Sequence, residues 1–165
     1  MIQRIQTIFL TVVIATMVGF CFSTVWVKVN EKTADEIILT PISLTYYNGS
    51  VGEHQLSNIS VAESSMIHIL ILAGIVSLLA LVSIVSYKKR VSQMKFGFVN
   101  TLLLIIIIAL LNYQIVEGDK LVPHPLYGDY KLGFFLPIFA LLFNIAANYY
   151  IKKDEDLVRS ADRIR

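Results

Sequence analysis

The chain has 165 residues, 56% of them hydrophobic and only 16% charged, with a formal net charge of +2. Soluble proteins average about 45–50% apolar and about 25% charged residues, so a water-soluble globule of this composition is excluded, and so is disorder. One cysteine, Cys21, rules out an internal disulfide framework, and the small net charge gives no footprint for nucleic acid.

Asp, Glu, Lys and Arg leave four uncharged runs: Ile5–Val27, Ser64–Tyr87, Phe96–Val116 and Leu132–Ile151, of 23, 24, 21 and 20 residues. A bilayer core about 30 Å thick needs roughly 20 helical residues at about 1.5 Å each, so every run is long enough to span. Barrel strands would be shorter and would alternate in polarity. The expected fold is a single all-α membrane domain over 1–165, an antiparallel four-transmembrane-helix bundle. Its helices cover about 5–27, 64–87, 96–116 and 132–151. Arg4 precedes the first run as in a signal peptide, but the run is too long and lacks a small-x-small cleavage site, so this helix is expected to be retained.

An even number of spans puts both termini on one side with the Lys88–Lys95 turn. That side collects Arg4, Lys88, Lys89, Arg90, Lys95, Lys152, Lys153, Arg159, Arg163 and Arg165, ten of the fourteen basic residues. The positive-inside rule then predicts a multi-pass protein with both termini cytoplasmic.

Segment 28–63 becomes a long external loop, and 117–131 a second one. Ile37 to Tyr47 is rich in β-branched and aromatic residues and precedes Asn48-Gly49, which predicts a small β-hairpin or short sheet turning there. Pro41 relegates its strand to an edge or a bulge. Asn48-Gly49-Ser50 and Asn58-Ile59-Ser60 match the glycosylation triplet, a pattern common by chance. In the tail 152–165, Leu157, Ala161 and Ile164 at helical spacing, with Arg159 and Arg163 elsewhere on the wheel, predict a short amphipathic cytoplasmic helix for docking a partner, continuing from the fourth span or lying at the membrane surface.

No Asp, Glu, Lys or Arg interrupts the four runs, and ion-coupled transporters place such groups inside the membrane. His54, His68 and His124 never fall at ligand spacing, and no nucleophile–base set can be assembled, so neither a metal, a cofactor nor an enzyme activity is expected. The positive signal is packing. Thr7, Thr11, Ala15, Gly19 and Ser23 recur at intervals of four, a small-residue stripe that lets another backbone approach. Asn100, Asn112, Asn144 and Asn148 should face inward or toward a partner. Depth matching pairs Asn100 with Asn148 near Gln6, and sets Asn112 near His68 and Ser23.

The ends are the most distinctive text: Met1-Ile2-Gln3-Arg4-Ile5-Gln6-Thr7 and Ile151-Lys152-Lys153-Asp154-Glu155-Asp156-Leu157-Val158-Arg159-Ser160-Ala161-Asp162-Arg163-Ile164-Arg165. Together with the layout of loops and spans, they resemble a family of small four-span inner-membrane proteins of unknown function from Bacteroidota. The resemblance implies a Gram-negative inner membrane and supplies no activity. The functional expectation is a non-catalytic accessory or scaffold subunit of a larger integral membrane complex, in contact with membrane lipids. A protein-translocation, envelope-secretion or respiratory assembly would be its host. The alternative is a small channel or carrier for a neutral solute, lined by the four asparagines.

Overall fold

The computed structural model describes residues 3–30, 35–47, 60–86, 90–121 and 128–162. Four helices stand side by side: α1 (Gln3–Cys21), α2 (Ile67–Val85), α3 (Arg90–Leu121) and α4 (Leu132–Asp162). Each packs on its sequence neighbours, and α4 closes the ring against α1. Three of them are long and apolar enough to cross a membrane, and α1 is a shorter apolar helix. Hydroxyls within these apolar helices bond back to their own backbone, Thr16 to Val12 at 2.9 Å and Ser77 to Ala73 at 3.0 Å, which satisfies them without a neighbour.

A five-stranded antiparallel sheet closes one end of the bundle: β1 (Trp26–Asn30), β2 (Asp35–Leu39), β3 (Ser43–Tyr47), β4 (Ser60–Ser65) and β5 (Asp129–Tyr130). The strand order is β4-β3-β2-β1-β5. Alternation sends Trp26, Lys28 and Asn30 of β1 to the buried face, joined by Ile37, Leu39 and Leu44. Trp26 is the largest buried side chain. It lies between Gly118 at the end of α3 and Gly128 ahead of β5, where a Cβ on either glycine would meet the indole.

The element boundaries differ from the hydropathy reading. Helix α1 stops at Cys21, where Phe22 and Ser23 close a tighter turn onto Gly19 and Phe20, and Val25 then joins the sheet by donating to the Leu39 carbonyl. Ser64 and Ser65 pair with Leu44 and Ser43 as strand rather than opening α2. The expected turn at Asn48-Gly49 lies outside the described residues, and Ile37–Tyr47 is itself folded in two. Thr40 to Ser43 makes that turn, with Thr40 donating to the Ser43 carbonyl and Ser43 N–H donating to Thr40 Oγ1. Pro41, which has no N–H to offer, sits in the turn, so the strands it joins are interior and not edges. Charges do not end the long helices: α3 runs through Lys95 and Glu117, and α4 carries the tail as one rod to Asp162.

Candidate functional site

The buried face of α1 is Gln6, Leu10, Val13, Met17 and Phe20, a seam stepping by four and three residues. Thr7, Thr11, Ala15 and Gly19 lie on the exposed side, and Ser23 is half-buried beyond the helix end. The small-residue stripe is therefore not the seam that holds this bundle together. Thr11 Oγ1 donates to the Thr7 carbonyl at 2.8 Å, so its outward hydroxyl is already satisfied.

Inside the bundle, polar side chains gather in the half away from the sheet. Asn144 is fully buried and uses both ends of its amide. Its Nδ2 donates to the Gly97 carbonyl and to Thr101 Oγ1, both at 2.9 Å, and its Oδ1 accepts from Asn100 Nδ2 at 3.2 Å. Asn100 thus meets Asn144, one turn from the residue that depth matching selects. Asn148 is occupied elsewhere, with its amide lying against Gly97 where a Cβ would otherwise stand. Nearer the helix ends, Gln6, Ser83 and Gln93 are buried as well. Gln6 Nε2 bridges α1 to α4 by donating to the Tyr150 carbonyl at 3.2 Å, beneath a Phe9–Tyr150 ring stack. Three oxygens in this half of the bundle, on Asn100, Asn148 and Ser83, are buried without a hydrogen-bond partner among the described residues.

Asn112 does not join the cluster. It is exposed, and its Nδ2 donates to the Ile108 carbonyl of its own helix at 2.8 Å. His68 is exposed on α2, while His54 and His124 lie outside the described residues. Among the described residues no group of three His, Cys, Asp or Glu side chains comes together as a metal site.

Two features were hidden from the sequence. Lys28, read as a loop lysine, is buried beneath the sheet and pairs with Asp119 at the end of α3 at 2.7 Å. Beside it a cleft of about 480 Å³ is lined by Trp26, Ile115, Val116, Asp119, Lys120, Gly128 and Tyr130. At the opposite end α4 stays buried as far as Ile151, and the helix projects beyond it with Leu157, Val158 and Arg159 exposed. Ala161 lies within α4, and Arg163 and Ile164 lie outside the described residues.

Residues 2–164, nearly the whole chain, match one family model. The chain belongs to the family described as a domain of unknown function (DUF4293). No curated protein matches it.

Proposed function

We propose that the chain is a four-span, non-catalytic accessory or scaffold subunit of a larger assembly in a bacterial inner membrane. Its termini are cytoplasmic and its sheet lies on the outer side. The basic asymmetry supports that orientation, and α1, flanked by α2 and α4, occupies the same slab as the longer helices. The observation that carries the reading is the outward stripe of Thr7, Thr11, Ala15 and Gly19. Residues spaced by four follow the ridge used in right-handed crossings of membrane helices, whereas the internal seam alternates three and four as left-handed bundles do. The α1 seam follows the second spacing, and the exposed stripe offers the first to a partner helix. The exposed Leu157, Val158 and Arg159 on the projecting end of α4 add a second contact of mixed chemistry. A channel or carrier for a neutral solute draws less support, because Asn112 faces outward and the interior between it and Asn100 is Leu104, Ile107 and Leu111.

The deciding experiment is mild detergent extraction of the tagged chain, affinity purification and mass spectrometry. A larger membrane protein should co-purify in stoichiometric amount and be lost from Thr11→Leu/Ala15→Leu, whose positions are exposed and leave the bundle folded. A chain that always purifies alone, or a partner that survives the double change, defeats the reading.

A further inference from the structure

The cleft beside the Lys28–Asp119 pair, of about 480 Å³, joins two kinds of surface. Trp26 and Ile115 line it from the buried side, and Gly128 passes so close to the indole that no side chain would fit between them. Val116, Tyr130, Asp119 and Lys120 line it from the exposed side. The volume falls within the range of small-molecule sites, about 300–1,000 Å³.

Its level along α3 is distinctive. Ile115 and Val116 end the uncharged run 96–116, and Glu117, Asp119 and Lys120 follow within little more than one turn. With α3 as a span, the apolar part of the cleft lies at the edge of the hydrocarbon and the charged part among headgroups. Tyr113 and Tyr130 are exposed at this end of the helices, the place aromatic residues favour at membrane interfaces. From Val116 an exposed stripe of Tyr113, Ala109, Ile106 and Leu102 steps back along α3 by three and four residues. It is about 21 Å long at ~1.5 Å per residue, more than half of a bilayer core of about 30 Å. An acyl chain of one leaflet has surface to follow throughout.

The charges around the cleft are balanced. Lys28 pairs with Asp119 at 2.7 Å, Lys120 with Glu117 at 2.6 Å and Lys131 with Asp129 at 3.4 Å. A net anion gains no pull from such a rim. A carboxylate accepts at two oxygens, so the exposed Asp119 can take a second donor while its Oδ1 holds Lys28. The Lys120–Glu117 pair is exposed on both sides and therefore weak, which lets the ammonium turn to a phosphate. We propose that the cleft is a headgroup site for a zwitterionic phospholipid with a primary amine, its ammonium on Asp119, its phosphate on Lys120 and one acyl chain along the stripe from Val116 to Leu102. A primary ammonium has N–H groups to donate, and a quaternary one has none. The site rests on the proposed span of α3, and not on the subunit role or on which side is cytoplasmic.

Trp26 is the only tryptophan of the chain and so reports from the cleft itself. The test places the full chain in phosphatidylcholine vesicles and follows its emission as brominated phosphatidylethanolamine, phosphatidylglycerol or phosphatidylcholine is added, with bromine near the glycerol end of one chain. Phosphatidylethanolamine should reach half-maximal quenching at a mole fraction about two- to fivefold below the other two, the scale of one exposed charge contact. Lys28→Met with Asp119→Ala removes the anion without stranding a buried ammonium, and should erase that preference. Lys120→Gln should raise the phosphatidylethanolamine mole fraction by a similar factor, and Lys120→Arg should restore it. Equal quenching by the three lipids, or a preference for phosphatidylglycerol, would overturn the site. Release of the quenching by soluble phosphoethanolamine would overturn the lipid as its occupant. A chain stripped from the vesicles by alkaline carbonate would overturn the span and the site together, whereas a retained chain without the preference overturns the site alone.

Discussion

Gly97 and Asn148 share one space: the Asn148 amide on α4 occupies the position a side chain would take on α3. The missing Cβ is what brings the two helices to hydrogen-bonding distance at Asn144, because it lets the larger asparagine seat without pushing α4 away.

Gly97→Ala should therefore destabilise the bundle by about 1–3 kcal/mol, the usual range for overpacking a close-fitted interior. Unfolding of the detergent-solubilised protein by denaturant measures it. Adding Asn148→Ala should recover at least half of the loss, and a double variant no better than Gly97→Ala would remove the shared-space explanation.

The asparagines should rank by the bonds they make. Asn144→Leu breaks three contacts at an average of about 0.6 kcal/mol each in a bilayer, so a loss of about 1–2 kcal/mol is expected. Asn100→Leu breaks one and also removes a lone acceptor, which makes it the milder change. Asn112→Leu, at an exposed site bonded only to its own turn, should be near neutral. The same unfolding assay orders the three, and Asn112→Leu as the worst would contradict the observed packing.

Removing the two partners of the Lys28–Asp119 pair should have unequal effects. Lys28 is 3% exposed and Asp119 49%. Asp119→Asn strands a buried ammonium, with a cost approaching the about 3–5 kcal/mol of a broken buried pair. Lys28→Met leaves a carboxylate that water can reach, and should cost about 1 kcal/mol. Equal losses in thermal unfolding would mean that burial of the lysine is not what sets the cost.

Tyr46 lies on β3 of the sheet. Partial burial raises its pKa, reinforced by the charge of Asp35 and by the hydrogen bond between them. A raised phenol favours the folded state while protonated. That stability is fully present below the unfolded pKa of about 10 and is lost as pH rises through the folded value. Phenolate absorbance should therefore contain a component raised above the ordinary tyrosine value, missing in Tyr46→Phe and moved to lower pH in Asp35→Asn.

Orientation is open to labelling. In a Cys21→Ser background, cysteine at Ser50 should react with an impermeant thiol reagent applied to the outer face of the inner membrane, and cysteine at Arg159 should not. The reverse pattern would invert the proposed topology.

The helices were legible because uncharged runs report the solvent, but a run says nothing about the period within it. Val25–Val27 and Ser64–Ser65 carry no charge and so read as helix, yet they form the strand ends that meet Leu39 and Leu44. The five-stranded sheet also draws β5 from a loop distant in sequence, a pairing no local pattern encodes. Within the site, the asparagines could be named, but Asn100 was matched one turn away from its partner. Counting from helix ends fixes depth only, and the side chain that Gly97 lacks has no hydropathy to register. The small-residue stripe was visible, though its face was not. At 3.6 residues per turn, steps of four rotate about 40° each, so the stripe winds off any straight seam, while Gln6, Leu10, Val13, Met17 and Phe20 stay on one.

The joints between sheet and helices set where the molecule is able to yield. Lys131 N–H donates to the Val25 carbonyl and Gly133 N–H to the Thr24 carbonyl, which fastens the exit of α1 to the entry of α4. Met66 N–H donates to the Ile42 carbonyl as β4 passes into α2, and the Lys28–Asp119 pair pins the end of α3. All four rods are thus gripped at the same end, like tweezers joined at the base. Any spreading of the bundle must be widest at the far tips, between the α1–α4 pair that Gln6 ties and the α2–α3 pair that its short connection ties. A force applied to the sheet, or to a protein seated on it, would be delivered there as a change in gap.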